Sequence, residues 1–497
     1  MLRNKYLWFL AMTLAVLSCR QARVPEHFKQ LQTVPKIYPD YTEVTVPANI
    51  APMNFELLIG ADDAVVRLSA GHQEMVCDGL KSRFDMDEWR DLTAEAAGDR
   101  IQVEVFARKG GEWARFRPFN IYVSRDSIDS WLSYRMISPS YVSYEELTIN
   151  QRCLESFDEQ VLVDNMLCST EAGGQCVNCH SYQQYNPQRM QFHARQNHGG
   201  TVIMYDGKME KVNMQHDSLL SAGVYPAWHP QLKLIAYSTN KTMQSFHTAD
   251  PNKIEVLDSE SDLIVYDVDR HEATTIENRP DEMEFFPFWA PDGKSLYFCS
   301  AHFEYQTGSV DAAEATLRAK EIKYNIYRKT FDPATRQFGE RELVLAADSM
   351  GMSATLPRIS PDGRWLLFTM GDWGCFHIWH HDADLWLMDL KSGEGAHPLK
   401  EANSDDTESY HSWSSNGRWI VFSSRRTDGV FTRPFFAHVD ADGHATKPFE
   451  LPMEDPNHHR QLLRSYNVPE FMRGPVEVKP QEFARVLKSE GTPIRCQ

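Results

Sequence analysis

Long apolar runs are scarce in this 497-residue chain, and so is positive charge. The one apolar stretch of note, Tyr6 to Leu17, is too short to span a bilayer as an ordinary helix, and no later segment has spanning length. Lys and Arg number 51 against 69 Asp and Glu, a formal net charge of −18 with no basic stripe to offset it, which argues against nucleic acid as a partner. A nucleophile elbow, a P-loop and a dinucleotide fingerprint are all missing, so those enzyme classes have no sequence support. Nine cysteines are too few to build a disulfide scaffold in a chain of this length. The length itself implies more than one domain, or one large repeat fold with an appendage.

What is present begins with an address. Arg3 and Lys5, the apolar run and Ser18-Cys19 have the order of a secretory signal: basic start, short apolar core, small residue before the cut. Val16-Leu17-Ser18-Cys19 resembles a bacterial lipobox, which implies lipidation of Cys19 and a soluble body tethered to a membrane face. Arg20-Gln21-Ala22-Arg23 lacks the acidic run that resembles a surface-export tag. The expected location is therefore the cell envelope, facing the periplasm, on the outer membrane in preference to the inner. Residues 20–43 contain Pro and read as a tether.

The most specific stretch is Cys176-Val177-Asn178-Cys179-His180. Two thiols separated by two residues can each add across a haem vinyl group, and the histidine that follows is placed to ligate the iron. The other readings are a zinc half-site and a redox-active dithiol; zinc of the ribbon type wants a second C-x-x-C or His pair, and none occurs. One haem c is the expected cofactor, with thioether bonds at Cys176 and Cys179 and His180 as proximal ligand. Haem attachment by bacteria takes place on the side of the membrane that the leader addresses. Of the other cysteines, Cys153 and Cys168 flank this segment and are a possible pair in an oxidising compartment, free thiols being the alternative.

Downstream the chain repeats. Tyr225-Pro226-Ala227-Trp228 leads into Leu234 to Ser238, and Phe286-Pro287-Phe288-Trp289 with Asp292-Gly293 leads into Leu296 to Ser300. Leu356-Pro357-Arg358-Ile359 with Asp362-Gly363 leads into Trp365 to Thr369, and Tyr410-His411-Ser412-Trp413 with Asn416-Gly417 leads into Trp419 to Ser423. From Trp228 to Trp289, Ile359 and Trp413 the steps are 61, 70 and 54 residues, a propeller period with loop insertions. Asp-Gly or Asn-Gly supplies the positive φ of a hairpin between two strands, and four-stranded units bury their faces only by packing radially. The Pro-x-Trp-x-Pro-Asp-Gly pattern resembles the TolB-type, WD-repeat-like propeller blade over roughly residues 200–455. The first unit departs from it with Gln231-Leu232 in place of Asp-Gly, and the fourth with Ser415-Asn416 in place of Pro-Asp. Trp131 to Ile137 with Leu147 to Leu154, and Thr201 to Tyr205 with Lys211 to Met214, read as strands of further blades, for about six in all.

The expected fold is thus all-β: an N-terminal immunoglobulin-like β-sandwich over 44–125, first propeller strands over 126–168, a small haem insertion over 169–200, propeller over 201–455 and a C-terminal extension over 456–497. The sandwich rests on alternating strands at Phe55 to Ile59, Val65 to Leu68, Ile101 to Phe106 and Arg115 to Tyr122. About thirty residues cannot cover a haem alone, so blades must help. Read as a helix, Arg189 to Asn197 puts Met190, His193 and Asn197 on one face, making His193 the first distal ligand, with Met190 and His198 as alternatives, an open site or a distant ligand remaining, and Met204 following. Arg189 and Arg195 could meet haem propionates or be solvated. Cys375 to Asp384 offers several metal-ligating atoms but reads as a polar channel loop; His458-His459 reads as solvated, and Asp440 to Gly443 as a hairpin turn without the Glu that a calcium loop needs. Three functions fit: electron transfer with a docked redox partner, a binding scaffold for an envelope protein or glycan with a structural or sensory haem, and, least supported by a single C-x-x-C-H, a peroxidase-type enzyme.

Overall fold

The computed structural model describes residues 22–138, 146–168, 175–250 and 252–497; the leader, Cys19 and the start of the expected haem segment lie outside them. Among the described residues no helix is long and apolar enough to cross a membrane.

Among the described residues, six four-stranded sheets form a closed β-propeller. Blade 2 runs Gln175–Tyr182, Arg189–Gln196, Gly200–Tyr205, Lys208–Asn213, and blade 3 runs Val224–Trp228, Leu234–Phe246, Ile254–Asp267, Glu272–Glu277. Blade 4 is Glu282–Trp289, Ser295–His302, Asn325–Asp332, Gln337–Leu345; blade 5 is Ser353–Ile359, Trp365–Gly371, Asp384–Asp389, His397–Pro398; blade 6 is Glu408–Trp413, Trp419–Ser424, Arg433–His438, Phe449–Glu450. Blade 1 is a composite. Its outer strands, Trp131–Ile137, Thr148–Cys153 and Glu159–Asp164, precede the other blades in sequence, while its innermost strand, Ser465–Met472, comes from the C-terminal region. That region is therefore not an extension but the clasp of the ring. Beyond it, Thr492–Pro493 and Arg495–Cys496 add parallel strands to the outer edges of blades 2 and 3.

Every innermost strand carries the same irregularity. Cys179, Tyr225, Phe286, Leu356, Tyr410 and Val468 have positive φ between 47° and 56°. Each sits in a bulge where three residues on the inner strand advance against two on its neighbour, as between Asn178 and Ser181 or Val224 and Ala227. Positive φ costs a residue with a Cβ about 1–3 kcal/mol, so six equivalent instances mark a feature of the architecture. The bulge turns the strand's face, presenting the bulged residue and the next one to the central channel.

Between blades the core is apolar and aromatic. Val177, Met190, Phe192 and Met204 of blade 2 pack with Ile149 and Leu162 of blade 1 and with Phe483 from helix Pro480–Leu487. The turn after the first Pro-x-Trp lacks Asp-Gly because His229 does that work: its Nδ1 accepts from the amides of Gln231 (3.1 Å) and Leu232 (3.0 Å).

The N-terminal domain has a seven-stranded sheet, a three-stranded sheet and helix Met86–Glu95, capped by Asp85, which the alternating pattern did not reveal. The strand expected over Arg115 to Tyr122 is two, Glu112–Arg115 and Phe119–Ser124, separated at Pro118 where a backbone donor is missing. Part of the expected tether is stitched into the domain, since Lys29–Gln30 pairs in parallel with Ala114–Arg115 and Ile37–Tyr38 pairs with Glu56–Leu57. Cys153 and Cys168 are both free thiols. Cys153 closes one end of the strand pair Thr148–Cys153 and Glu159–Asp164 and Cys168 lies past the other, a separation no disulfide bridges.

Candidate functional site

The six inner strands surround a cavity of about 390 Å³, within the usual ~300–1,000 Å³ of small-molecule pockets. Cys176, Asn178, Cys179 and His180 all line it. Residues 175–182 are thus not part of an insertion; they are the innermost strand of blade 2, and Asn178-Cys179-His180-Ser181-Tyr182 occupies the place of Val224-Tyr225-Pro226-Ala227-Trp228 in blade 3. Cys179 is the bulged residue, and His180 stands where three of the downstream blades have proline and blade 6 has His411.

His180 is buried, its ring set against the Ser133 and Val468 backbone of blade 1, as the ring of His411 is set against Leu356 and Leu367 of blade 5. Burial, with the charge of Arg135 second, pushes the His180 pKa down to about 3, so the imidazole is neutral and its lone pair available. Burial likewise raises the Cys179 thiol. The strand is held firmly here. Asn178 Oδ1 accepts from the Cys179 amide (2.8 Å) and from Arg135, and Gln191 donates to the Cys179 carbonyl while accepting from Tyr237 (3.3 Å). Below it, Tyr182 donates its hydroxyl to Ser133 (3.0 Å) and its amide to Glu470 (3.0 Å). Glu470 is half-buried, and desolvation pushes it up to about 8, with the Tyr182 amide and the Arg358 guanidinium opposing that rise.

Of the other residues expected from the sequence, Arg195 lines the cavity, exposed at its mouth. Arg189 does not. It pairs with Asp206 (2.7 Å) and lies over the Tyr205 ring. The helix expected over Arg189 to Asn197 is strand Arg189–Gln196, whose alternation of Met190, Phe192 and Ala194 into the layer between blades overrides the helical spacing. Met190 is accordingly fully buried in that layer, and so is Met204. His193 is buried outside the cavity lining, its Nδ1 3.1 Å from Thr201 Oγ1, its pKa driven down to about 3 by burial. His198 sits in the hairpin turn after the strand. The structure therefore brings Cys176, Cys179, His180 and Arg195 together and leaves the three expected distal ligands elsewhere.

Sequence reasoning missed Arg135, Tyr225, Arg358, Glu470 and the aromatic walls, because six separate strands contribute them. His411 also lines the cavity, but its Nε2 donates to the Leu356 carbonyl (2.8 Å) and its Nδ1 meets Thr369 Oγ1 (3.3 Å). In the Cys375 to Asp384 loop, only Phe376 reaches the cavity. His380 pairs with Glu255 (2.8 Å) and His377 with Thr355 (2.8 Å), and no group of three His, Cys, Asp or Glu able to hold a metal ion occurs among the described residues. His459 is not solvated: it is buried, its Nδ1 2.5 Å from Glu450, because helix His458–Gln461 folds against blade 6. Asp440 to Gly443 forms the expected turn, with Asp440 Oδ1 accepting from the Asp442 and His444 amides (both 2.9 Å).

No family model matches the chain, and no curated protein matches it in sequence. Solved structures do resemble it in shape. TolB from Acinetobacter baumannii is similar at 12% identity over 78% of this chain and 85% of that one, with a TM-score of 0.43. A protein described as TolB from Agrobacterium tumefaciens is similar at 14% identity over 70% of this chain and 99% of that one, TM-score 0.37. A lignostilbene dioxygenase from Pseudomonas brassicacearum covers 87% of this chain and 97% of its own length at 11% identity, TM-score 0.39. The assignment as a β-propeller stands on the six sheets and their closure, not on these likenesses.

Proposed function

We propose that this chain is an electron-transfer protein of the bacterial cell envelope, lipid-anchored through Cys19 and facing the periplasm, with one haem c in its central channel. The observation that carries this reading is that Cys176, Cys179 and His180, spaced as a haem-attachment site requires, all line one cavity, with the His180 imidazole held neutral chiefly by burial. The donor set fits the group on a second count: Arg135 and Arg195 line the same cavity and can meet its carboxylates.

Bound there, haem supplies a one-electron couple. The chain's own residues do the rest. His180 is kept deprotonated by burial and by Arg135; Asn178 and Gln191 fix the peptide around Cys179; the aromatic walls formed by Tyr225, Phe286 and Trp413 exclude water. Met190, His193 and His198 serve the fold and not the iron.

A second reading, a propeller scaffold that binds an envelope protein or glycan, is favoured by the six-fold recurrence of the inner-strand bulge, since blade 2 needs a strand at Asn178 to Tyr182 whether or not haem is attached. Expression in a periplasm with the haem-attachment machinery separates the two. The electron-transfer reading expects a coloured protein whose haem survives denaturing electrophoresis and whose colour is lost in Cys176→Ser/Cys179→Ser. A colourless wild type with both thiols titratable would leave only the scaffold.

A further inference from the structure

We infer that the channel holds, beyond the haem segment, a binding site for a small apolar zwitterion, an aromatic amino acid whose carboxylate meets Arg358 and whose ammonium meets Glu470. The proposal goes beyond the haem reading and does not rest on it. Two residues past each positive-φ residue, the inner strands place Glu470, Ser181, Ala227, Phe288, Arg358 and Ser412, in blade order 1 to 6, and all of them line the cavity. Ser181, Ala227 and Ser412 are small, so the middle of this ring is open. The two charged members stand in blades 5 and 1 with Ser412 of blade 6 between them, and its hydroxyl is committed to the Pro469 carbonyl (2.9 Å).

Arg358 and Glu470 feel each other's charge, yet among the described residues neither has an ion-pair partner. Arg358 Nη1 donates to the Pro357 carbonyl (2.9 Å) and the guanidinium lies 4.9 Å from the centre of the Phe288 ring, which leaves Nε and Nη2 without a protein acceptor. Burial lowers its pKa only to about 10, so it is charged at neutral pH. Glu470 Oε1 accepts from the Tyr182 amide (3.0 Å), and Oε2 has no protein donor. A cation and an acid that served only the fold would close on each other, because a desolvated charge with unspent hydrogen bonds is costly. A ligand carrying both opposite charges satisfies both, its carboxylate taking the open Nε–Nη2 edge of the guanidinium. The apolar body has its own place. Trp228, Trp289, Ile359 and Trp413, one residue further along their strands, line the same cavity, and the Trp228 and Trp413 indoles are fixed by bonds to the Ser181 and Arg358 carbonyls (3.3 and 3.2 Å). Cys176 and Cys179 precede this ring on the blade 2 strand, and the carboxylates of a haem held there are the other source of an anion for Arg358. They bring no ammonium to Glu470.

The test is isothermal titration calorimetry of the full chain matured with the haem-attachment machinery, and of Cys176→Ser/Cys179→Ser, with L-phenylalanine, N-acetyl-L-phenylalanine and L-phenylalaninamide as probes. The expected result is saturable binding of phenylalanine to both proteins, with the two singly charged probes ~10-fold or more weaker. Arg358→Gln should weaken phenylalanine and N-acetylphenylalanine alike by ~10-fold or more. Glu470→Gln should weaken phenylalanine and leave N-acetylphenylalanine unchanged, a split that a structural role would not produce. Two outcomes on the unmutated channel ring overturn the site: no phenylalanine binding in either protein, or singly charged probes that bind as tightly as phenylalanine. Binding confined to Cys176→Ser/Cys179→Ser assigns Arg358 to the haem carboxylates and overturns it too. A colourless wild type that binds phenylalanine sinks the haem reading and leaves this site standing.

Discussion

His377 and His411 are buried, have both ring nitrogens engaged, and are held neutral, each with a pKa pushed down to about 3 chiefly by burial. A depressed pKa in the folded state means that the unfolded chain takes up the protons first. The stability these groups contribute is full above about pH 6.5 and is lost as pH falls toward 3. At pH 5 each should cost about 2 kcal/mol relative to pH 7. Urea midpoints should therefore drop between pH 7 and 5, and His411→Gln should make that drop shallower; an unchanged slope would contradict the assignment. At the same scale, the site was legible only where its residues are contiguous. Cys176, Cys179 and His180 are spelled out in one pentapeptide, whereas Arg135 and Glu470 come from two strands of blade 1 that lie far apart in sequence and Arg358 from blade 5, and no local pattern links them.

The blade is the unit in which backbone rules act. Gly293 has φ of +69°, and a Cβ there would fall 2.3 Å from Gln231 Oε1 and 2.6 Å from the His229 ring. Gly293→Ala should lower stability by about 1–3 kcal/mol in equilibrium unfolding, through both the strained φ and the displaced histidine whose Nε2 bonds the Gly293 carbonyl (3.0 Å). Four blades were readable because Pro, Trp and Asp-Gly punctuate them. Blades 1 and 2 were readable only in their outer strands, Trp131 to Ile137 with Leu147 to Leu154 and Thr201 to Tyr205 with Lys211 to Met214: the inner strand of blade 2 offers the same backbone with neither Pro nor Trp at Cys179-His180-Ser181-Tyr182, and that of blade 1, Ser465–Met472, lies far from the rest of its sheet in sequence. The helical reading of Arg189 to Asn197 shows the complementary error. Met190 and His193 are three apart and suit a helix face, yet Met190, Phe192 and Ala194 also alternate with period two, and the neighbouring strand at Gly200–Tyr205 decides between them.

The two domains share one core. Tyr41, Phe55, Trp89 and Leu132 cluster with Trp419, Phe436 and Phe449 of blade 6, and the Trp419 indole donates to the Asp126 carbonyl (3.0 Å). Lys447–Asp40 and Lys81–Asp455 pairs (2.8 and 3.0 Å) line the seam. Trp419→Ala should cost about 3–5 kcal/mol. Differential scanning calorimetry should show one transition shifted as a unit, with no separately melting N-terminal domain.

The clasp between Trp131–Ile137 and Ser465–Met472 joins segments about 330 residues apart, an entropic closure of roughly 5 kcal/mol that only a nearly finished ring can repay. Anything that must reach Cys179 is thereby put on a clock. Once the last strand docks, that sulfur is buried in the wall of a narrow channel, so a bulky enzyme that modifies it gains its widest access to the nascent, still unclasped propeller, and maturation and folding become one ordered sequence.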